Sequence, residues 1–275
     1  MDPTSKKIIL FHFGSFMKEN RLKKALNEGK FTVGTWVSMC SPLGAEALGL
    51  VGFDWLLIDM EHGSGDYQTL LHQLQAVECA GQTTPVVRVQ WNDANVLKRV
   101  LDLGATSVMV PGVRSVDEAR RAVEALRYPP EGIRGIAPVR AGKFGLDKDY
   151  LKQANDNMCL FLQIETREAV EQAAEILALP GIDVAFIGPN DLAADLGHTG
   201  DMEHPEVLAA IEKVEQAAQD TRVALGTISS GWDQARGLVE RGYRAMSIQS
   251  DFSFLLENAQ AAVKNFRNHP YVTNK

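Results

Sequence analysis

Hydrophobic residues along this chain occur in short, almost unbroken runs that alternate with longer stretches of helical periodicity. A run that is apolar at nearly every position is typical of a strand buried on both faces, as in a parallel sheet. Eight such runs follow one another. They predict strands over residues 33–38, 55–61, 85–89, 107–111, 159–165, 184–188, 224–228 and 245–249.

The stretches between these runs have apolar residues three and four positions apart, which is typical of helices packed on a sheet. Asn92 or Asp93 is placed to cap one of them, and Ser115 with Glu118 forms a capping-box pattern at another. The predicted helices cover residues 42–50, 67–79, 92–103, 116–126, 168–177, 205–219, 232–240 and 252–265.

Eight strand–helix units in a chain of 275 residues predict an α/β fold, a single (β/α)₈ TIM barrel. Leu22, Ala25 and Leu26 add a short helix before the first strand. The alternative is an open doubly wound sheet. That fold would have a glycine-rich loop after its first strand, and Ser-Met-Cys-Ser-Pro at 38–42 is not such a loop.

The first residues need a separate interpretation. Two lysines before an apolar stretch at 8–16 resemble a short signal peptide, but the next residues are strongly charged and contain no small-residue cleavage pattern. We therefore expect residues 1–16 to be an extension outside the core, with Met17 as a candidate start. The barrel is predicted over 17–267 and a tail over 268–275.

Composition narrows the function classes. The formal charge is −7, from 35 acidic and 28 basic residues, which argues against nucleic acid or an anionic membrane as a partner. The three cysteines form no CxxC pair, so a reducing compartment, the cytoplasm, is expected. No apolar run reaches the roughly 18–20 residues that a membrane helix needs.

Polar residues cluster at the carboxyl ends of the predicted strands, where barrel enzymes carry their active sites. Buried charges are costly unless they are paired or bind a metal ion. Several acids and one arginine at one mouth therefore indicate a hard divalent cation and an anionic ligand. The residues are Asp59, Glu61, His62, Arg88, Gln163, Glu165 and Asp191.

Glu165 and Asp191 are the candidate metal ligands. Two carboxylates, with water and substrate oxygens in the other positions, suit Mg²⁺, and Mn²⁺ or Co²⁺ would also accept them. The alternative is that one of these acids caps a helix, since Glu165 precedes Thr166 and Asp191 precedes an apolar helical stretch.

His62 is the candidate general base, because a neutral imidazole is available near pH 7. Asp102 is the candidate residue that orients it; a surface loop histidine is the alternative. Arg88 is suited to holding a carboxylate or enolate oxygen, and Trp36 to forming the pocket floor or part of the core. Ordinary solvated surface roles are expected for Arg134, Lys143, His12, His72, His198, His204 and His269.

Several longer motifs resemble the HpcH/HpaI aldolase family, and the resemblance covers about residues 17–266. Motifs of this length in this order are specific. They are Gly-Thr-Trp at 34–36, Gly-Phe-Asp-Trp-Leu-Leu-Ile-Asp-Met-Glu-His at 52–62, Pro-Val-Val-Arg at 85–88, Arg-Tyr-Pro-Pro-Glu-Gly-Ile-Arg-Gly at 127–135, Gln-Ile-Glu-Thr at 163–166 and Ile-Gly-Pro-Asn-Asp-Leu at 187–192.

The resemblance implies a metal-dependent class II aldolase that releases pyruvate from, or adds it to, an aldehyde partner. It implies a homo-oligomer, commonly a hexamer built as a trimer of dimers, with the last helix exchanged between subunits. The implied roles are metal binding for Glu165 and Asp191, base catalysis for His62 with Asp102 as its partner, enolate stabilisation for Arg88, and a place in the substrate pocket for Gln163. Trp36 and Asn190 are further candidate substrate-binding residues.

The chain departs from the family pattern at 249–251, where Gln-Ser-Asp stands in place of the frequent Gly-Ser-Asp. This leaves the aldehyde undetermined. The alternative functions are oxaloacetate decarboxylation or another enolate-forming lyase reaction, phosphoryl transfer, and a non-catalytic binding barrel. A Schiff-base mechanism is disfavoured because no lysine lies in a predicted strand.

Overall fold

Eight parallel strands close into one barrel in chain order in the structure, a computed structural model that describes residues 18–269 and 271. The last strand pairs back with the first, so the sheet has no open edge. The predicted TIM barrel is confirmed, and the doubly wound alternative is wrong. The strands are β1 Thr32–Val37, β2 Trp55–Asp59, β3 Thr84–Arg88, β4 Ser107–Val110, β5 Cys159–Ile164, β6 Val184–Ile187, β7 Ala224–Ser229 and β8 Tyr243–Ser250.

Helices surround the barrel, and in the described part of the chain none is long and apolar enough to span a bilayer. A 3₁₀ turn covers Arg140–Gly145. The α-helices are α1 Arg21–Asn27, α2 Pro42–Gly49, α3 Tyr67–Ala80, α4 Ala94–Asp102, α5 Val116–Leu126, α6 Tyr150–Asn157, α7 Arg167–Glu171, α8 Ala173–Leu177, α9 Pro189–Asp195, α10 Pro205–Gln219, α11 Trp232–Glu240 and α12 Asp251–Arg267.

The predicted helices agree with these except in two places, and the short helix that the sequence predicts near 149–154 in the long loop is α6. The helix predicted over 168–177 is two helices, because Gln172 leaves helical geometry with φ −102° and ψ 13°. Helix α9 was not predicted, because its Gly-Pro-Asn-Asp start is typical of a turn. Both predicted caps form: the Asp93 side chain accepts from two backbone N–H groups of α4, and Ser115 accepts from the N–H of Glu118.

Strand alternation divides the core into two layers. In β2, Trp55 and Leu57 belong to the cluster inside the barrel, whereas Ile58 belongs to the larger cluster between strands and helices. Leu22 and Leu26 of α1 join the inner cluster from below, so α1 closes the amino end of the barrel. The carboxyl end is left as the open mouth.

The predicted extension at 1–16 lies outside the described residues, as does most of the predicted tail at 268–275. The division of the chain into extension, barrel and tail therefore stays a prediction.

Candidate active site

Side chains alternate between the inside and the outside of the barrel along each strand, as far as its carboxyl end. Asp59 and Arg88 end β2 and β3 at inward-facing positions, and the sheet register places them directly opposite each other. Gln163 and Glu165 have the same inward position at the end of β5. We call Asp59, Glu61 and Arg88 the β2–β3 half of the mouth, and Gln163, Glu165 and Asp191 the β5–β6 half.

In the β2–β3 half, Asp59 and Arg88 form a buried, two-point ion pair. Arg88 donates from Nε to Asp59 Oδ1 over 2.9 Å and from Nη2 to Oδ2 over 2.7 Å. Asp59 Oδ1 also accepts from the backbone N–H groups of Glu61 and His62, at 3.0 and 3.2 Å. One carboxylate therefore orients the arginine and holds the loop that carries His62.

The guanidinium of Arg88 has two further neighbours. Its Nη1 lies 3.0 Å from the Glu61 carboxylate, and its carbon lies 4.4 Å from the centre of the Trp36 ring. Trp36 donates from its indole N–H to Ser247 Oγ over 3.1 Å, which fixes the ring plane. Trp36 is half-buried, lies against Arg88 and packs on the inner core cluster, so its position is compatible with both the pocket-floor and the core interpretation.

In the β5–β6 half, Glu165 is buried, and no described residue of opposite charge is in hydrogen-bonding contact with it. Its Oε1 accepts from the Gly112 N–H over 2.8 Å, and its Oε2 accepts from Gln163 Nε2 over 2.6 Å. Burial raises the pKa of Glu165 to about 7, and the negative charges of Asp191 and Glu61 add to this effect. The Gly112 N–H and, more weakly, Arg88 act in the opposite direction.

Neither candidate metal ligand caps a helix, so that alternative is wrong for both. Thr166 caps α7, since its side chain accepts from the N–H of Ala169. Gly188 occupies the cap position of α9, and Asp191 is the third residue of that helix, exposed at the mouth. Helix capping therefore does not explain the position of either carboxylate.

His62 and Asp102 are not brought together within one copy of the chain. His62 is exposed at the mouth, whereas α4 runs back from the end of β3 toward the amino end of the barrel. The nine residues of α4 rise about 13 Å along the helix axis and place Asp102 at its far end. In the described chain Asp102 pairs instead with Arg134, whose Nη2 lies 3.1 Å from Asp102 Oδ1.

Arg134 is not the solvated charge that the sequence analysis predicted. Its side chain is 0% exposed, and its guanidinium lies 4.5 Å from the centre of the Tyr128 ring. The prediction failed because the long loop folds back onto the barrel: the N–H of Ile133 donates to the carbonyl of Glu124 in α5.

The β5–β6 half has the chemistry of a divalent-cation site. The buried carboxylate of Glu165 has two acidic neighbours, Asp191 and Glu61. The amide oxygen of Gln163 is buried and has no hydrogen-bond partner among the described residues. A cation near this carboxylate would relieve the excess negative charge. The residues present therefore fit a bound metal ion held by oxygen ligands.

Three parts of the site were not assigned from the sequence. Asp59 was noted at a strand end but not as the partner of Arg88, because Asp59 and Glu61 have the same strand parity and either could contact the arginine. The Gly112 N–H has no sequence signal. At Gly188 a Cβ would lie 2.7 Å from Glu165 Oε2, so any other residue there would displace that carboxylate. The glycine in the Ile-Gly-Pro-Asn-Asp motif was the available signal.

Comparison with known proteins adds independent findings. A family model described as HpcH/HpaI aldolase/citrate lyase matches residues 32–258. A 4-hydroxy-2-oxo-heptane-1,7-dioate aldolase of Klebsiella pneumoniae is 43% identical over 256 residues, which are 92% of this chain and 96% of that protein. A structure of an HpcH/HpaI aldolase/citrate lyase family protein from Burkholderia cenocepacia aligns with TM-score 0.88 and 39% identity, covering 90% of this chain and 100% of that one.

A more distant structure shares the fold. The citrate lyase β subunit of M. tuberculosis, complexed with oxaloacetate and magnesium, aligns with TM-score 0.53 and 17% identity over 82% of this chain and 94% of that one.

Proposed function

The chain belongs to the HpcH/HpaI aldolase/citrate lyase family and is an aldolase, a carbon–carbon lyase, and from this premise we propose its substrate, its metal and the roles of its residues. The proposed substrate is 4-hydroxy-2-oxoheptane-1,7-dioate, the compound in the name of the Klebsiella relative. Cleavage between C3 and C4 yields pyruvate and 4-oxobutanoate. The observation that carries the proposal is the buried, uncompensated Glu165 carboxylate across the mouth from Arg88.

Glu165 and Asp191 would hold a divalent cation, Mg²⁺, Mn²⁺ or Co²⁺, since both offer the oxygen ligands that such ions prefer. When bound, the ion supplies a Lewis acid that stabilises negative charge on the 2-keto oxygen of the substrate. Gln163 holds the Glu165 carboxylate by its amide N–H, and its own amide oxygen is buried without a partner among the described residues.

Arg88 binds the anionic end of the 2-keto acid. Asp59 holds two of its nitrogens in a fixed plane, so the guanidinium loses little freedom when substrate arrives. Its Nη1 group contacts Glu61, and the positive charge of Arg88 also acts on Glu165 in the β5–β6 half. This positive charge favours the enolate over the neutral keto form, which is the direction that cleavage requires.

His62 acts as the base in the cleavage direction. It takes the proton of the C4 hydroxyl, the O–H electron pair forms the aldehyde carbonyl, and the C3–C4 pair moves onto the pyruvate enolate. Protonation of C3 then gives pyruvate; condensation is the reverse. No lysine occurs in any of the eight strands, which supports an enolate route over a Schiff base.

Asp102 orients His62 only if it comes from a second copy, because the two lie toward opposite ends of the barrel in one copy. Helix α12 supports such an assembly. It has no buried residue in one copy and presents Phe252, Leu255, Val263 and Phe266, each 47–79% exposed. We therefore propose a homo-oligomer in which α12 packs on another copy; a hexamer is the form that the family resemblance implies.

The experiment is exchange of the pyruvate methyl protons in deuterated water, followed by NMR. We expect exchange with Mg²⁺ or Mn²⁺ and none with EDTA or in the Glu165→Ala variant. Release of pyruvate from 4-hydroxy-2-oxoheptane-1,7-dioate is then measured with lactate dehydrogenase. Exchange that survives EDTA would contradict the metal role.

Absence of exchange under every metal would contradict the pyruvate enolate. Carbon dioxide release from oxaloacetate, without aldol cleavage, would instead favour the decarboxylase alternative.

A further inference from the structure

A second group of metal-ligating side chains lies away from Glu165 and Asp191, where the segment after α9 meets the start of α10. His198 Nε2 lies 2.8 Å from the Glu206 carboxylate, and the rings of His198 and His204 stack with centroids 3.4 Å apart. One ligand atom from each of the three residues lies within 4.8 Å of the others. The sequence analysis did not predict this contact.

Structural roles account for only part of the cluster. His204 caps α10, since its Nδ1 accepts the N–H of Glu206 over 3.2 Å. His198 hydrogen-bonds the Glu206 side chain, which Arg167 also contacts over 3.0 Å. These two contacts hold the pKa of Glu206 below its ordinary value, so the carboxylate is ionised at neutral pH. Neither role requires two imidazoles beside one carboxylate.

We propose that His198, His204 and Glu206 bind a divalent transition-metal ion of the Zn²⁺ class. Two imidazole nitrogens and one carboxylate oxygen form a donor set that Zn²⁺ takes in proteins, with a fourth position for water. Mg²⁺ prefers oxygen ligands in octahedral geometry, so it is not expected to bind here. The site therefore differs in ion preference from the carboxylate pair at the barrel mouth.

Binding requires a local rearrangement that the surroundings allow. The stacked rings must turn apart so that each directs a nitrogen at one ion, and both side chains are partly exposed. A Cβ at Gly197 or Gly200 would meet no atom within 4 Å, so the space beside these two positions near His198 is open. If the His204 cap is given up, the exposed N–H of Glu206 is left to water.

Arg167 competes with the ion for Glu206. Its guanidinium lies 3.0 Å from Glu206 Oε1, whereas His198 contacts Oε2. Removal of this cation should leave the carboxylate free for metal, so Arg167→Ala is expected to tighten Zn²⁺ binding. A purely structural cluster does not predict that change, and the effect separates the two interpretations.

The experiment is a Zn²⁺ titration by calorimetry on the full-length protein without a polyhistidine tag. The titrations use a background variant, Glu165→Gln with Asp191→Asn, which removes the proposed active-site ion. Zn²⁺ binding at the cluster is then measured independently of whether the proposed aldolase metal site is correct. On this background we place His198→Ala, Glu206→Gln and His204→Asn; the last keeps a helix-capping side chain and removes the imidazole. The matched control is His72→Ala, an exposed histidine elsewhere that contacts Gln68.

We expect one Zn²⁺ per chain in the background protein. Each cluster variant should weaken binding by at least about tenfold, because loss of a direct ligand costs no less than loss of a supporting contact. His72→Ala should bind as the background does, and Mg²⁺ should give no heat. Absence of Zn²⁺ binding in the background, or equal binding in the cluster variants and the control, would overturn the proposal.

Discussion

In the β2–β3 half of the mouth, the buried charges of Asp59 and Arg88 have each other within hydrogen-bonding distance. In the β5–β6 half, the buried carboxylate of Glu165 has only neutral N–H donors among the described residues. The first arrangement is complete without a ligand, whereas the second leaves negative charge that burial makes costly. This difference supports our proposal that one half would position an anion-binding arginine and the other would receive a cation.

The largest effect should come from neutralising the β5–β6 half. Replacing Glu165 by Gln removes a proposed metal ligand and should lower kcat/KM for pyruvate release by at least about 10³-fold, because Lewis-acid stabilisation contributes several kcal/mol. Glu168→Gln, on an exposed position of α7, is the matched control and should retain activity. Activity of Glu165→Gln within about tenfold of the parent would contradict the metal role.

Breaking the Asp59–Arg88 ion pair in the β2–β3 half should lower both the stability and the activity of the protein. Arg88→Met leaves the Asp59 carboxylate buried without its partner, and the free energy of unfolding should fall by about 3–5 kcal/mol. Denaturant unfolding followed by circular dichroism measures this change. Adding Asp59→Asn to the same variant should recover part of the loss, since the uncompensated charge is then gone. A double variant as unstable as Arg88→Met would argue against charge pairing as the cause.

Removing the charge of Glu165 from the metal-free protein should raise its stability, whereas removing the charge of Arg88 lowers it. The pKa of Glu165 rises from 4.5 to about 7 on folding. Below pH 4.5 both folded and unfolded states carry the proton, so there is no penalty; stability is lost as pH rises through 7.

Glu165→Gln should therefore be more stable than the parent at pH 8 by on the order of 2 kcal/mol, and equal to it near pH 4. The measurement is unfolding of both proteins in EDTA across this pH range. A difference that does not change with pH would contradict the raised pKa.

The smallest effect should come from crowding the β5–β6 half without changing its charge. Gly188→Ala places a Cβ 2.7 Å from Glu165 Oε2, so the carboxylate must shift and metal affinity should fall by about tenfold. Gly231→Ala is the matched control, because Gly231 also occupies a helix cap position after a strand but has open space around it. Equal affinities of the two variants for Mn²⁺ would show that Gly188 is not needed there.

The strand count and most helix limits were predictable because each depends on the local hydrophobic pattern. The strand order was predictable because eight strand–helix units favour a closed barrel, in which neighbouring strands follow chain order. The helix over 116–126 was predicted to the residue. The split at Gln172 and the short α9 were not, since a five- or seven-residue helix has too few positions to show periodicity. The difference from the family pattern at residue 249 also has a local consequence. Gln249 adopts φ +47°, a backbone conformation that favours glycine, the residue frequent at this position in the family pattern.

The candidate site was predictable as a set of residues but not as an arrangement. Arg88, Gln163 and Glu165 were identified because charged or polar groups at the ends of apolar strands are conspicuous in sequence. The partner of Arg88 was not identified, since Asp59 and Glu61 have the same strand parity. Arg134 was misassigned because a charged residue in a long loop has the same local pattern whether it is buried or solvated.

By itself, the sequence determined the eightfold strand–helix repeat and which polar residues reach the barrel mouth, because burial periodicity follows from the apolar pattern of each segment. Only the tertiary structure decided which of those residues touch. The β2–β3 register sets Asp59 against Arg88, Gly188 makes room for Glu165, and the loop before α10 stacks His204 on His198. Such contacts join side chains from separate elements, so register and loop path determine them, and neither is encoded in a local pattern.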